Sequence, residues 1–337
     1  MEALESLVGA SVVVTGGAGF VGSWLCERLL DEGAEVWCVD SLLTGSRDNV
    51  AHLRSADSFH LVEADVCEGI PVPGRIDLVM HLASPASPVH YHRWPLETLR
   101  VGSVGTTVAL ELAAAHGARF LLASTSEVYG DPLEHPQPES YWGHVNPIGP
   151  RSVYDEAKRF SEAVTAAYRR TRGVPTAIAR IFNTYGPRMA VADGRVVPTF
   201  VQQALDGEPL TVAGDGSQSR SLCWVEDTVE GLLRLAVSSC AGPVNIGNDE
   251  ETTVLELART ILDLTGSAST VTFVDLPEDD PRVRRPDLTA ARTALGWGPT
   301  TPLEQGLKQT VGWIAEQMAA QAPLATELPT TLATTRA

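Results

Sequence analysis

Short runs of consecutive apolar residues recur along the first half of the chain, each followed by a longer stretch in which apolar positions return every three or four residues. The runs are Ser11-Val-Val-Val-Thr15, Glu35-Val-Trp-Cys-Val39, Phe59-His-Leu-Val62, Ile76-Asp-Leu-Val-Met80, Arg119-Phe-Leu-Leu-Ala123 and Thr176-Ala-Ile-Ala-Arg-Ile181. Strands that are apolar on both faces belong to a parallel sheet covered by helices on both sides. Trp24, Leu25, Leu29 and Leu30, and later the stretch from Leu99 to His116, supply such helices. The alternation predicts a doubly wound α/β fold.

After Asn183 the pattern gives way to shorter strands and loops, with helices expected over Val197 to Leu205, Val225 to Val237, Thr253 to Leu264 and Leu303 to Ala319. Two lobes are expected: residues 1–182 as the nucleotide-binding part, and 183–320 as a smaller substrate lobe with room for segments that return to the sheet. Residues 321–337, rich in Ala, Thr and Pro without periodicity, read as a flexible tail.

Thr15-Gly-Gly-Ala-Gly-Phe-Val-Gly22 follows the first strand and opens a helix, the context in which a glycine pattern becomes a phosphate-binding prediction. Gly16 permits the tight turn, Gly19 lets a pyrophosphate reach backbone N–H groups, and Gly22 allows close helix packing, with Phe20 and Val21 at the helix start. Asp40 ends the second strand, where a carboxylate accepts both ribose hydroxyls and repels a 2′-phosphate. NAD is therefore favoured over NADP, with Arg47 in the next loop as the opposing feature. Ser41, Thr44 and Gly45 follow Asp40 at the cofactor. Asp65 and Val66 close the third strand region toward the adenine, while Leu82, Ala83, Ser84 and Ala123 follow or end the next strands along the dinucleotide. These features make the fold Rossmann-type.

Tyr154 and Lys158, four positions apart, share a helical face, so an ammonium is placed to lower the phenol pKa and make it a usable base. Ser124-Thr-Ser-Glu-Val-Tyr-Gly130 begins where a strand ends, putting Thr125 in reach of a sugar hydroxyl and Glu127 in the role of carboxylate base or water-orienting group. Arg188, Arg195, Arg220 and Arg284 fall in polar or Gly/Pro-bearing segments of the second lobe, where forked donors suit phosphate or carboxylate oxygens. A net charge of −17 disfavours nucleic acid and anionic membrane as partners. Five widely spaced cysteines show neither a zinc pattern nor a disulfide framework, and no apolar run reaches membrane length. A soluble, cytoplasmic protein without a metal is expected.

Several longer stretches narrow the reading: His81-Leu-Ala-Ser-Pro-Ala-Ser-Pro88, Leu122-Ala-Ser-Thr-Ser-Glu-Val-Tyr-Gly-Asp-Pro132, Tyr141-Trp-Gly-His-Val-Asn-Pro-Ile-Gly-Pro150 and Ala179-Arg-Ile-Phe-Asn-Thr-Tyr-Gly-Pro-Arg188. On these the chain, from Val12 to about Thr310, resembles extended short-chain dehydrogenase/reductase enzymes acting on nucleotide sugars, and among them the UDP-glucuronate decarboxylases that make UDP-xylose. The resemblance implies that Tyr154 deprotonates the 4-hydroxyl of UDP-glucuronate while hydride passes from C4 to NAD, so that carbon dioxide leaves from a position beta to a ketone. Re-reduction then gives UDP-xylose and regenerates NAD. It implies that Thr125 orients the 4-oxygen, that Lys158 holds the nicotinamide ribose, and that Glu127 and Arg284 serve the ring and decarboxylation steps. Asn183, Arg188, Arg195, Val197, Thr211 and Arg220 are placed around the nucleotide sugar, with Tyr91 toward its glucuronate end. A homodimer formed through two helices from each subunit is the corresponding assembly.

The chain departs from that pattern at Trp24, where relatives often carry histidine, at Gly102, where asparagine is usual, and at Ser221-Leu-Cys-Trp224. Gly102 is expected to loosen packing near the cofactor. A UDP-sugar 4-epimerase would use the same tyrosine without needing Glu127 together with Arg284. A 4,6-dehydratase usually has an Asp-Glu pair where this chain has Ser126-Glu127, and a non-catalytic NAD-binding scaffold would have lost Tyr154, Lys158 or Glu127.

Overall fold

The structure, a computed structural model, describes residues 4–276 and 283–321; the expected tail lies, from residue 322 on, outside the described residues. The first half runs β1 (Ser11–Thr15), α1 (Phe20–Asp31), β2 (Glu35–Asp40), β3 (Phe59–Glu63), β4 (Leu78–His81), α2 (Pro88–Arg93), α3 (Pro95–Arg100), α4 (Thr106–His116), β5 (Arg119–Thr125), α5 (Ser152–Arg172) and β6 (Thr176–Ile181). The second half continues with β7 (Thr184–Tyr185), α6 (Val196–Asp206), β8 (Leu210–Ala213), β9 (Ser219–Ser221), β10 (Cys223–Trp224) and α7 (Val225–Val237). It ends with β11 (Val244–Ile246), β12 (Glu251–Thr253), α8 (Val254–Thr265), β13 (Val271–Val274), α9 (Thr289–Leu295) and α10 (Leu303–Gln321). Among the described residues no helix is long and apolar enough to cross a membrane.

Seven parallel strands form the central sheet in the order β3-β2-β1-β4-β5-β6-β11, so the fold is the doubly wound Rossmann-type sheet that the apolar runs predict. Side chains alternate across a strand, and β1 shows why its run has to be continuously apolar. Val12 and Val14 pack in one layer with Leu25 and Leu29 of α1 and Leu232 and Leu233 of α7. Val13 packs in the opposite layer with Leu110 and Ala113 of α4 and with Phe120 and Leu122 of β5. Burying each such side chain contributes about 1.5–3 kcal/mol. The seventh strand comes from beyond residue 182: Val244–Ile246 pairs with Ala179–Ile181. A separate core of Tyr185, Phe200, Val201, Leu210, Trp224, Leu257 and Leu307 holds the second lobe together.

The strand order reverses between β1 and β4, and the crevice beyond the carboxyl ends of those strands is where such sheets bind ligands. A cleft of about 1060 Å³ opens there, lined by the glycine turn, the ends of β2, β4 and β5, the start of α5 and the second lobe.

Two elements differ from the periodicity. The fourth strand runs from Leu78 and not from Ile76; Asp77, just ahead of it, bonds to both neighbouring strands through its backbone, and its carboxylate accepts the Ser11 N–H at 3.1 Å. The helix expected from Leu99 to His116 is interrupted by a π-helical turn at Val101–Gly105. Gly102 does not loosen this region. A Cβ on it would lie 2.6 Å from the Ala157 Cβ, so α5 rests directly on the Gly102 backbone, and the Ser161 hydroxyl donates to the Gly102 carbonyl at 2.7 Å. Gly102→Ala is therefore expected to lower stability by about 1–3 kcal/mol through overpacking; an unchanged denaturation midpoint would contradict this close approach.

Candidate active site

The glycine turn is shaped by contacts that no side chain could share. Gly16 has φ +73° and donates to the Val39 carbonyl at 2.8 Å, and a Cβ on it would meet the Ala83 nitrogen at 2.8 Å. On Gly22 a Cβ would fall 2.1 Å from the Gly16 carbonyl oxygen, so α1 starts close against the turn with Gly19 as its N-cap. The unpaired N–H groups of that helix start face the cleft and suit a pyrophosphate. Phe20 and Val21 line the same wall, as do Ser41, Thr44, Asp65, Val66, Leu82, Ala83, Ser84 and Ala123.

Asp40 is buried at the end of β2, and its carboxylate accepts the N–H groups of Ala18 (3.0 Å) and Leu42 (2.8 Å). Burial raises its pKa, and the two backbone donors hold it back. A Cβ on Gly45 would lie 2.9 Å from both of these oxygens, which explains a glycine there. Arg47 is turned away into a bidentate pair with Glu63 (2.5 and 2.7 Å), so the one nearby cation that argued for a 2′-phosphate already has a partner. Cradle and carboxylate together fit an NAD-type dinucleotide.

Tyr154 and Lys158 lie on the first turns of α5, and both are buried. The Tyr154 ring stacks on Tyr91 of α2 with centroids 5.3 Å apart and planes 7° from parallel. Lys158 Nζ donates to the Ala123 carbonyl at 2.9 Å and stands 5.9 Å from the Tyr154 ring centroid. The acidified phenol expected from the spacing is not what this geometry produces. Burial, followed by the Glu127 charge, pushes the Tyr154 phenol up, and the hydrogen bond with Thr125 only partly opposes them. Burial lowers Lys158 to about 8. Helical spacing fixes proximity but not the dielectric around the pair, and burial is the leading effect on both groups. Beneath them His81 bridges Thr15 (2.7 Å) and Thr106 (3.2 Å) and is kept neutral, its pKa lowered to about 3 by burial and by Lys158.

Thr125 ends β5 and accepts the Glu127 N–H at 3.3 Å, which turns the Glu127 side chain into the cleft. Arg284 grips this carboxylate with two bonds, Nη1 to Oε1 at 2.6 Å and Nη2 to Oε2 at 2.9 Å, and Arg151 adds Nη2 to Oε2 at 2.7 Å. All three side chains are at most 13% exposed. Burial alone would raise the Glu127 pKa; Arg284 and then Arg151 reverse that and bring it to about 2. Arg151 escaped the sequence reading. It precedes Tyr154 by three residues at the helix entrance, and that helical spacing was the available signal. Asp155 also went unnoticed: burial and then the Glu127 charge raise it to about 8.

The second-lobe residues converge on the same cleft, with their guanidiniums already engaged. Arg195 pairs with Asp193. Arg188, at φ +69°, pairs with Glu27, touches His52 at 3.2 Å and lies over the Trp24 ring at 4.2 Å. Trp24 thus fills the place where a histidine is usual by stacking on an arginine. Arg220 is buried on β9 and donates to the Ser219 carbonyl at 2.9 Å. Arg284 also reaches Asn183 at 3.3 Å; Val197 is buried on α6, and Thr211 accepts from Gln203 at 2.9 Å.

Residues 12–247 match the family model described as "NAD dependent epimerase/dehydratase family". The chain belongs to this family. Among curated members, this epimerase/dehydratase family chain is 50% identical over 311 residues to "UDP-glucuronic acid decarboxylase 1" of Danio rerio, covering 92% of this chain and 74% of the relative. It is 54% identical to "UDP-glucuronic acid decarboxylase 2" of Arabidopsis thaliana over 89% of this chain and 67% of the relative. Among solved family structures, the UDP-glucuronic acid 4-epimerase of Bacillus cereus in complex with UDP-glucuronic acid and NAD is 25% identical with a TM-score of 0.80, covering 91% of this chain and 99% of that one.

Asp155 yields a pH prediction for this family member. Its folded pKa of about 8 lies above the ordinary 3.8, so its contribution to stability is complete below pH 3.8 and is lost as pH rises through about 8. Asp155→Asn should gain on wild type progressively across that window in denaturant unfolding at stepped pH. A difference that does not change with pH would show that the carboxyl is not held protonated.

Proposed function

We propose that the chain is a UDP-glucuronate decarboxylase that forms UDP-xylose and carbon dioxide, with NAD reduced and reoxidised within each turnover. The observation that carries the reading is the doubly gripped Glu127 carboxylate beside Tyr154, in a chain about 50% identical to relatives named for that activity. NAD, when bound, supplies the acceptor and later the donor of the C4 hydride. Tyr154, once its own phenolic proton has passed to solvent, takes the 4-hydroxyl proton as the C4–H bond is lost, with Thr125 fixing the oxygen; Lys158, anchored on Ala123, presents its remaining donors toward the ribose. The sugar then carries a ketone beta to its carboxylate. The C5–carboxylate bond breaks, its electrons pass into an enolate, and carbon dioxide departs. Glu127 stays ionised at neutral pH and orients a water that protonates C5, the hydroxide left being neutralised by a proton from solvent, while Arg284 and Arg151 balance the charge of Glu127.

The remaining residues complete the proposed site: Gly16, Gly19, Gly22 and Asp40 on the dinucleotide, and Asn183, Arg188, Arg195 and Arg220 around the UDP moiety. A UDP-glucuronate 4-epimerase is the second reading, favoured by the likeness to the Bacillus cereus structure. We also propose a homodimer, supported by Leu96 and Leu99 of α3 and Phe160 of α5 left exposed on adjoining helices, and a cytoplasmic location, which five unpaired cysteines fit.

Purified protein given UDP-glucuronate is expected to release UDP-xylose and carbon dioxide with no net reduced NAD, read by anion-exchange chromatography and mass spectrometry; UDP-galacturonate would move the assignment to the epimerase. Tyr154→Phe should cut turnover by about 10²–10⁴-fold while retaining cofactor, since only the ionisable oxygen is removed. Glu127→Gln should slow carbon dioxide release on the order of 10²-fold with nucleotide affinity little changed, and a variant as fast as wild type would remove Glu127 from the chemistry.

A further inference from the structure

Arg284 reaches Glu127 from 157 residues away in the chain, so something must set the height and rotation of its backbone to within hydrogen-bonding tolerance. The segment that carries Arg284 belongs to none of the named strands. Gln137 and Pro286 form a single parallel bridge: the Gln137 N–H donates to the Arg285 carbonyl at 2.9 Å, and the Asp287 N–H donates to the Gln137 carbonyl at 2.9 Å. The Gln137 side chain then acts as a further piece of backbone. Its Oε1 accepts the Arg285 N–H at 2.8 Å, and its Nε2 donates to the Glu134 carbonyl at 2.8 Å.

A second amide locks the bridge from the sheet side. Asn245, on β11 and fully buried, donates through Nδ2 to the carbonyls of Gln137 (2.9 Å) and Asp287 (3.0 Å), and its Oδ1 accepts the Tyr129 hydroxyl at 2.7 Å. On the far side the Ser221 N–H donates to the Arg284 carbonyl at 3.2 Å. Arg284 is thus fixed at its own carbonyl and at the N–H of the next residue, and the second of these fixings is a side chain only 1% exposed. Gln137 does not itself line the cleft.

We propose that Gln137 is a positioning residue for the Glu127–Arg284 pair, held in turn by Asn245, and that it governs the decarboxylation step without contacting the nucleotide sugar. The catalytic half of this inference rests on the decarboxylase reading given above. If Arg284 loses its setting, oxidation at C4 by Tyr154 proceeds, because neither Tyr154 nor Lys158 bonds to the bridge. The following step then lags. The enzyme accumulates the 4-keto acid with reduced cofactor in place of passing quickly to UDP-xylose.

The variant that tests this is Gln137→Met, close in shape and lacking both polar atoms, set beside Gln137→Glu, which keeps an acceptor for the Arg285 N–H. On UDP-glucuronate, Gln137→Met is expected to lose about tenfold or more in kcat with KM little changed, to load NAD as wild type does, and to show a raised steady-state absorbance of reduced nicotinamide. Gln137→Glu, which restores the acceptor but sets an oxygen against the Glu134 carbonyl, is expected to recover part of the rate. Amide hydrogen exchange gives a readout that needs no substrate: in wild type the Arg285 N–H should exchange slowly, and in Gln137→Met it should exchange faster while the amides of β1 and β5 stay protected. Wild-type kcat and no build-up of reduced cofactor in Gln137→Met would overturn the proposal and leave the decarboxylase reading standing. A fast-exchanging Arg285 amide in wild type would overturn it even if the variant failed to fold. Should wild type make no UDP-xylose, the decarboxylase reading falls, and the exchange comparison alone decides whether Gln137 sets the pair.

Discussion

A carboxylate in a water-poor cleft is tolerable only if opposite charge reaches it, and the arrangement of this molecule follows from how Glu127 meets that condition. Two guanidiniums are needed, and they come from different directions. Arg151 stands at the entrance of α5, three residues before Tyr154, while Arg284 arrives from the far end of the second lobe. Removing either would leave a buried charge short of a partner, a loss typically larger than the net worth of the pair itself. The same cluster reaches the neighbouring titratable groups. After burial, the ionised Glu127 helps keep the Tyr154 phenol and the Asp155 carboxyl protonated, so one charge bears on the resting protonation of two neighbours.

The dinucleotide half is governed by space where the sugar half is governed by charge. Gly16, Gly22 and Gly102 each occupy a point where a methyl group would collide with backbone or with a packed neighbour, and each lies where two elements touch: turn on strand end, helix on turn, and helix on helix. Lys158 meets both halves, its ammonium held by the Ala123 carbonyl at the end of β5.

What the sequence made legible depended on the range of the physics involved. Parallel strands are apolar on both faces, so six of the seven central strands stand out as runs, and the glycine turn is read from a strand and helix immediately beside it. The π-helical turn at Val101–Gly105 was hidden because apolar residues continue across it, and only the contact of Gly102 with Ala157 shows why it is there. Proximity of Tyr154 and Lys158 followed from helical spacing, but the direction of their pKa values did not, since burial is a property of the assembled fold. Glu127 and Arg284 were joined by likeness to a family, not by spacing. Arg151 was marked only by its helical spacing from Tyr154, and Gln137, whose bonds lie in a short irregular segment, carried no periodic signal.

The edge strand β11 has a consequence for how the protein is made. Its three residues complete the sheet beside β6, yet they are synthesised some sixty residues after it, behind the first segments of the second lobe. Until Ile246 has left the ribosome, the nascent sheet shows the open side of β6, and the Tyr129 hydroxyl lacks the Asn245 amide that receives it. The first lobe therefore cannot finish folding as an independent unit during synthesis. The two halves of the cleft mature together, and a chain interrupted before residue 246 leaves β6 as an unpaired edge open to pairing with another chain.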